Sequence, residues 1–103
     1  MASPKITLVT GGNTGLGYET VKALLQSEKP YHVLLGSRSL EKAKHAIESL
    51  HKECPSLSNT VESVQLDVAS DESIEKAFEQ VKASHGRIDV LINNAGRYPL
   101  PGP

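Results

Sequence analysis

The chain has 103 residues with a formal net charge of -1; 38% of the residues are hydrophobic, 22% are charged, and one is a cysteine. This length favours one small domain, and the composition is ordinary for a globular protein. The charge gives no indication of nucleic acid or an anionic membrane as a partner, and a single cysteine excludes an internal disulfide and a cysteine-based zinc cage. The apolar run "ITLV" near the N-terminus is too short for a signal-peptide core or a membrane span, so we expect a cytoplasmic protein.

The first half of the chain alternates short apolar runs with helix-forming segments. "KITLVT" at 5–10 is a buried-strand pattern that glycines end, and helix formers then run over about 16–28, before Pro30. "YHVLLG" at 31–36 predicts a second strand. A second helix, capped by Ser39, has an apolar stripe whose members are three or four residues apart: Leu40, Ala43, Ile47 and Leu50.

The second half repeats this alternation. "VESVQL" at 61–66 predicts the third strand and "IDVLIN" at 88–93 the fourth. Between them, Ser70 or Asp71 caps a third helix that Gly86 ends. The buried stripe predicted for this helix consists of Ile74, Ala77, Phe78 and Val81.

Strands that alternate with helices predict right-handed βαβ units on a parallel sheet. The expected fold is α/β: a partial Rossmann-type doubly wound parallel sheet of about four strands in the order 3-2-1-4, with three helices. The folded domain is predicted over 1–96. Residues 97–103 are predicted to be an irregular tail, because three of the last five residues are prolines and exclude a helix.

Three of the four glycines at the predicted junction between the first strand and the first helix have a distinct expected role. Gly11 would allow a tight turn, Gly15 would let the backbone approach a phosphate closely, and Gly17 would let the helix lie against the strand. The helix N-terminus would then offer free N–H groups to a pyrophosphate. The phosphate-hydrolase loop is excluded because Tyr18, not lysine, follows the last glycine. A glycine-rich turn that binds nothing is the structural alternative.

Three motifs resemble the short-chain dehydrogenase/reductase family, particularly its carbonyl-reductase-like members. They are T-G-x-x-x-G-x-G at 10–17, Leu-Asp-Val at 66–68 and Asn-Asn-Ala-Gly at 93–96, and the resemblance covers roughly residues 5 to 96. It implies a Rossmann-type domain that binds NAD(H) or NADP(H) and transfers a hydride between the nicotinamide and a carbonyl or alcohol.

The resemblance also implies roles for single residues. Asp67 would hydrogen-bond the adenine edge and Val68 would pack near the ring, while Asn94 and Ala95 would lie near the nicotinamide-side ribose. Asp67 as a loop acid and the asparagine motif as a brace of the sheet are the structural alternatives. The predicted cofactor-binding residues are Gly11, Asn13, Thr14, Gly15, Leu16, Gly17, Arg38, Asp67, Val68, Asn94, Ala95 and Gly96.

The end of the second strand indicates which nicotinamide cofactor is preferred. An NAD site usually has an acid there, against the ribose 2′-OH. Here the position holds Arg38, whose guanidinium suits a 2′-phosphate, and Ser37 and Asn13 would add neutral hydrogen bonds. We therefore predict NADP(H) over NAD(H). The alternative is a solvated arginine at a strand end.

The sequence contains one Tyr-x-x-x-Lys, the spacing of the family's catalytic pair, at Tyr18 and Lys22. In the family this motif lies on a later helix, beyond the fourth strand, so no catalytic residue is predicted in this chain. None of the four histidines has metal-ligand spacing with an acid partner and a second histidine, so solvated histidines and no metal site are expected.

Three functions remain open. The chain would be a truncated NADP-dependent reductase, inactive alone; a non-catalytic dinucleotide-binding module; or one half of a split enzyme. The substrate is not indicated, since the family's substrate contacts lie in the catalytic half. The fourth strand is apolar on both sides and carries one charge, Asp89, so we expect an exposed edge and self-association through it.

Overall fold

The computed structural model describes residues 3–11, 15–54 and 59–93. Within these residues strands and helices alternate, and the strands form one parallel sheet in the order β3-β2-β1-β4. This arrangement confirms the predicted doubly wound Rossmann-type sheet. The elements are β1 (Lys5–Thr10), α1 (Gly15–Leu25), β2 (Tyr31–Ser37), α2 (Leu40–Glu53), β3 (Thr60–Gln65), α3 (Asp71–His85) and β4 (Val90–Asn93).

Helices cover both faces of the sheet because successive strand residues point to opposite sides. α1 and α2 pack on one face, over a core of Val9, Val21, Leu25, Val33, Leu35, Ala43, Ala46 and Leu50. α3 packs on the other face, over Ile6, Leu8, Leu34, Val64, Leu66, Ala77 and Val81. β1 and β2 contribute to both cores, which explains why their sequences are continuous apolar runs rather than alternating ones.

The predicted caps of α2 and α3 are confirmed. The Ser39 hydroxyl accepts a hydrogen bond from the N–H of Lys42, and the Ser70 hydroxyl accepts one from Ser73. Gly86 ends α3 with a φ of 80°, a left-handed conformation that glycine adopts without strain.

Two predictions on helices need correction. α1 ends at Leu25 and not near Glu28, because the side-chain amide of Asn59 donates to the carbonyls of Leu24, Ser27 and Lys29 and holds them in a non-helical turn. In α2, Leu40 is 39% exposed rather than buried, because it lies in the first turn, ahead of the part of the helix that packs on the sheet. The buried stripe of α2 is Ala43, Ala46 and Leu50.

β4 begins at Val90, two residues later than predicted. Asp89 is the reason, because its carboxylate accepts the backbone N–H of Ile6 at 2.8 Å, at a position where a strand carbonyl would otherwise accept it. Arg87 holds the carboxylate in place, with its Nε at 3.0 and 2.9 Å from the two Asp89 oxygens. The hydrogen bond from Ile6 is the main cause that lowers the pKa of Asp89 below its usual value, and the contact with Arg87 lowers it further.

Asp89→Asn should make the stability of the chain less dependent on acid pH. The folded pKa of Asp89 is lowered, so the ionised group stabilises the fold above the ordinary aspartate pKa of about 4, and this contribution is lost as the pH falls through the lower folded value. In urea unfolding, the free-energy difference between the parent chain and Asp89→Asn should be largest at neutral pH and shrink in acid. Glu79→Gln, at an exposed carboxylate of α3, is the control. A difference that is the same at neutral and strongly acid pH would contradict the assignment.

Candidate dinucleotide site

The order of the strands creates a crevice at one edge of the sheet. β1 leads into α1 on one face, whereas β3 leads through α3, on the other face, to β4. The succession of strands therefore reverses between β1 and β4. In doubly wound sheets, ligands bind outside the carboxyl ends of the strands at this switch point.

The glycine turn lies at the carboxyl end of β1. Gly11 and Gly15 have φ values of 63° and 58°, in the left-handed region that favours glycine. A Cβ built on Gly15 would meet no described heavy atom within 4 Å, so open space lies beside the first turn of α1. Gly17, also in the first turn of α1, is buried. Asn13 and Thr14 lie outside the described residues.

The N-terminus of α1 has the electrostatics of an anion site. Its first turn contains no acidic residue, so no carboxylate of that turn neutralises the positive end of the helix dipole. Leu16, in the same turn, is 80% exposed, which is unusual for a large apolar side chain. The first turn of α1 therefore has no carboxylate and carries an exposed apolar side chain.

Arg38 follows the last residue of β2 and is exposed. Its backbone carbonyl accepts a hydrogen bond from Gln65, while its guanidinium forms no ion pair within the described part of the chain. The preceding Ser37 is buried, and its hydroxyl accepts the N–H of Ser39. Arg38 borders a polar groove of about 460 Å³ whose other walls include Gln65, Asp67, Ser73 and Lys76.

Asp67 and Val68 form the turn between β3 and α3. One carboxylate oxygen of Asp67 accepts the N–H of Ala69 at 3.0 Å, and the N–H of Asp67 donates to the Ser73 hydroxyl at 2.8 Å. Asp67 thus has a structural role in its own turn and also borders the groove beside Arg38. Val68 packs against the core on the α3 side.

Asn93 connects the ends of the two strands at the switch point. The Thr10 hydroxyl donates to the Asn93 side-chain oxygen at 2.8 Å, so the first residue of the asparagine motif braces β1 against β4. Asn94, Ala95 and Gly96 lie outside the described residues. A mainly apolar groove of about 250 Å³ adjoins this brace on the α3 side, and Leu91 in its wall is 52% exposed.

Tyr18 and Lys22 have a structural explanation. Both contact Glu53, the last residue of α2: the Tyr18 hydroxyl lies 3.1 Å and the Lys22 ammonium 3.1 Å from the same carboxylate oxygen. Partial burial and then the Glu53 carboxylate raise the pKa of Tyr18 above its usual value. A tyrosine that exchanges protons in catalysis needs a pKa nearer the working pH, so this environment is the opposite of a catalytic one.

The expectation of solvated histidines is wrong for His32 and His85, whose side chains are only 17% and 21% exposed. His32 and His85 share an acid partner, because one Glu62 oxygen lies within hydrogen-bond distance of a ring nitrogen of each. The three residues come from β2, β3 and the end of α3, so no local spacing in the sequence could reveal them. This cluster lies at a distance from the glycine turn, toward the starts of β2 and β3.

Comparison with known proteins agrees with the fold. A family model of the short chain dehydrogenases matches residues 5–102. The chain belongs to the short-chain dehydrogenase family. It is 46% identical over 96 residues to the short-chain dehydrogenase/reductase tropE of Talaromyces stipitatus, covering 93% of this chain and 36% of that protein.

Solved structures of this family have the same fold. The chain matches a menthone neomenthol reductase from Mentha piperita with a TM-score of 0.77 and 34% identity, over 92% of this chain and 32% of that one. It matches the L-sorbose reductase of Gluconobacter frateurii, solved with NADPH and L-sorbose, with a TM-score of 0.76 and 31% identity, over 91% of this chain and 34% of that one. The chain thus spans about a third of the length of these relatives. None of the helices in the described ranges has the length and apolar composition needed to cross a bilayer.

Proposed function

We propose that this chain binds a nicotinamide dinucleotide, NADP(H) in preference to NAD(H), as the cofactor-binding part of a reductase that transfers a hydride between NADPH and a carbonyl or alcohol. The observation that carries the proposal is the pairing of an open, positive helix N-terminus at Gly15 with an Arg38 guanidinium that forms no ion pair among the described residues. Both follow the carboxyl ends of adjacent strands, β1 and β2.

The pyrophosphate is assigned to the first turn of α1. A phosphate there would accept hydrogen bonds from the free N–H groups and lie at the positive end of the helix dipole. The open space beside Gly15 accommodates it, and the exposed Leu16 would cover part of the cofactor. The predicted contacts of Gly11, Asn13 and Thr14 belong to the same turn.

The adenosine end is assigned to the groove that Arg38 and Asp67 border. The Arg38 fork would hold the 2′-phosphate and Asp67 would contact the adenine, while Val68, which lines the apolar groove beside Asn93, would pack near the ring. The L-sorbose reductase of similar fold was solved with NADPH, which supports this choice of cofactor. Asn94, Ala95 and Gly96, which follow β4, would lie at the nicotinamide side.

Arg38→Ala should weaken NADP⁺ binding and leave NAD⁺ binding nearly unchanged. Loss of a charge-assisted contact to the 2′-phosphate costs about 1.5–3 kcal/mol, which is roughly 10- to 150-fold in Kd. Titration calorimetry with both dinucleotides measures the two effects, and Lys44→Ala controls for the loss of one exposed positive charge from α2. Equal weakening of NADP⁺ and NAD⁺ would rule out the 2′-phosphate assignment.

Gly15→Val should abolish the binding of both dinucleotides, because a side chain there occupies the space proposed for the pyrophosphate. Gly86→Val is a matched control: Gly86 also has a positive φ, and a Cβ on it also meets no described atom within 4 Å, but it caps α3. Both variants carry similar backbone strain. Calorimetry should show binding for Gly86→Val only; retained binding by Gly15→Val, with circular dichroism as the check on folding, would refute the assigned turn.

The 103-residue chain by itself should show no carbonyl reductase activity. Hydride transfer needs a positioned proton donor, which contributes about 10²–10⁴-fold, and the one Tyr-x-x-x-Lys of this chain is tied to Glu53. NADPH oxidation in the presence of carbonyl compounds is the assay. Turnover that Tyr18→Phe abolishes would contradict the proposal. Activity gained on adding a separate chain with a serine and a Tyr-x-x-x-Lys would identify a split enzyme; dinucleotide binding without such a gain fits a binding module.

The chain should also self-associate through β4. β4 is the last strand in the sheet order, and Leu91 is exposed in the apolar groove beside it. Light scattering at tens of micromolar should show dimers or larger species, and Leu91→Glu should reduce them. Leu40→Glu is the control, since Leu40 is an exposed leucine on α2. A monodisperse monomer with a cooperative melt would overturn this expectation.

The division into 1–96 and 97–103 and the cytoplasmic location stay predictions.

A further inference from the structure

Two histidines and a glutamate converge on the α3 face of the sheet, and we name them the His–Glu–His cluster: His32, Glu62 and His85. One Glu62 carboxylate oxygen is 3.0 Å from Nε2 of His32 and 2.5 Å from Nε2 of His85. The two imidazole rings are 4.7 Å apart between centroids. The potential ligand atoms of the three residues all lie within 4.8 Å of one another.

The fold produces this convergence. The parallel register pairs His32 with Thr60 and Leu34 with Glu62, so His32 and Glu62 lie on the same face of adjacent strands. That face is the one that α3 covers, and His85 is the last residue of α3. Because α3 runs back toward the strand starts, its end lies away from the carboxyl edge that carries the glycine turn. The cluster is therefore separate from the dinucleotide site.

The donor set is that of a transition-metal site. Two imidazole nitrogens and a carboxylate oxygen suit Zn²⁺ and its first-row neighbours, whereas Mg²⁺ and Ca²⁺ prefer oxygen ligands alone. Zinc bonds of about 2.0–2.2 Å in tetrahedral geometry separate ligand atoms by about 3.4 Å. The Glu62 carboxylate oxygen is now 3.0 and 2.5 Å from the two histidine nitrogens, so each distance must increase by less than about 1 Å to reach this geometry. The Glu62 side chain is 47% exposed, so it can rotate to make this change.

The surroundings of the cluster favour a bound cation. The Thr60 hydroxyl lies 2.5 Å from Nδ1 of His32, so it can accept a hydrogen bond from Nδ1–H, and in that tautomer the Nε2 lone pair is available to a metal ion beside Glu62. The carbonyl end of the α3 dipole, at His85, attracts positive charge. The two imidazoles are largely buried, at 17% and 21% side-chain exposure, while the exposed Glu62 provides a path for the ion and a water ligand.

We propose that the His–Glu–His cluster binds one divalent transition-metal ion of the Zn²⁺ class through Nε2 of His32, Nε2 of His85 and the carboxylate of Glu62, with water in the open position. The ion would join β2, β3 and the end of α3. Along the chain, His32 is 30 residues from Glu62, and Glu62 is 23 residues from His85. Such a link would stabilise the fold independently of any dinucleotide.

The test is a Zn²⁺ titration of the full 103-residue chain after removal of any histidine tag. Calorimetry should show one site per chain, and Co²⁺ should give the visible absorption of a low-coordinate nitrogen and oxygen site. His85→Gln and His32→Gln should each weaken Zn²⁺ binding at least tenfold, since loss of even an outer-shell partner costs 10- to 100-fold. Thr60→Val should weaken it less than either histidine change. His45→Gln, at an exposed histidine of α2, is the matched control and should leave the affinity unchanged.

Glu62→Gln keeps the test decisive if a histidine variant fails to fold, because it changes an exposed side chain and removes only the anionic ligand. It should also weaken Zn²⁺ binding at least tenfold while circular dichroism and NADP⁺ binding stay as in the parent chain. A folded parent chain that shows no Zn²⁺ binding, or equal Zn²⁺ affinity for Glu62→Gln, His85→Gln and His45→Gln, would overturn the proposal and leave a hydrogen-bonded cluster without a metal.

Discussion

The pairing of β1 with a parallel strand on each side is the constraint on which the rest of the structure depends. β1 pairs with β2 over its whole length and with β4 from Thr7 to Thr10, and Leu8 and Val9 are fully buried on opposite faces. A shift of one residue would exchange the side chains of the two cores, so the register is strongly specified. With this register, the glycine turn that follows β1 emerges at the switch point, where the Thr10 and Asn93 side chains join the two strand ends.

A close contact between β1 and β2 positions the two halves of the proposed cofactor site. A Cβ on Gly36 would lie 3.1 Å from the carbonyl oxygen of Val9, so glycine allows the strands to approach without displacing the backbone. Arg38 is two residues farther along the same strand end. The glycine turn after β1 and the arginine after β2 therefore follow the ends of adjacent strands, although they are distant in sequence.

Local signals in the sequence were enough to predict the element order, the sheet order and the caps at Ser39, Ser70 and Gly86, because apolar periodicity and cap chemistry act over a few residues. Apart from the exposure of Leu40 in the first turn of α2, the misses involve contacts between distant residues. Asn59 holds the turn after α1 across about 30 residues, Asp89 replaces a ladder partner of Ile6 across 83, and the His–Glu–His cluster draws on three elements. For the proposed cofactor site, Gly15 and Leu16 lie at an open helix N-terminus and Arg38 is exposed, while Asp67 has the loop role that the sequence offered as its structural alternative.

The central claim is that a dinucleotide binds at the carboxyl edge of the sheet, and an NMR titration of the ¹⁵N-labelled chain with NADP⁺ tests it most directly. The account predicts that the amide signals of Gly15, Leu16 and Gly17, and those next to Arg38 and Asp67, shift with one common saturation curve. Signals near His32 and His85, away from that edge, should stay in place. A folded chain whose spectrum does not change with NADP⁺, or changes mainly around those two histidines, would contradict the account.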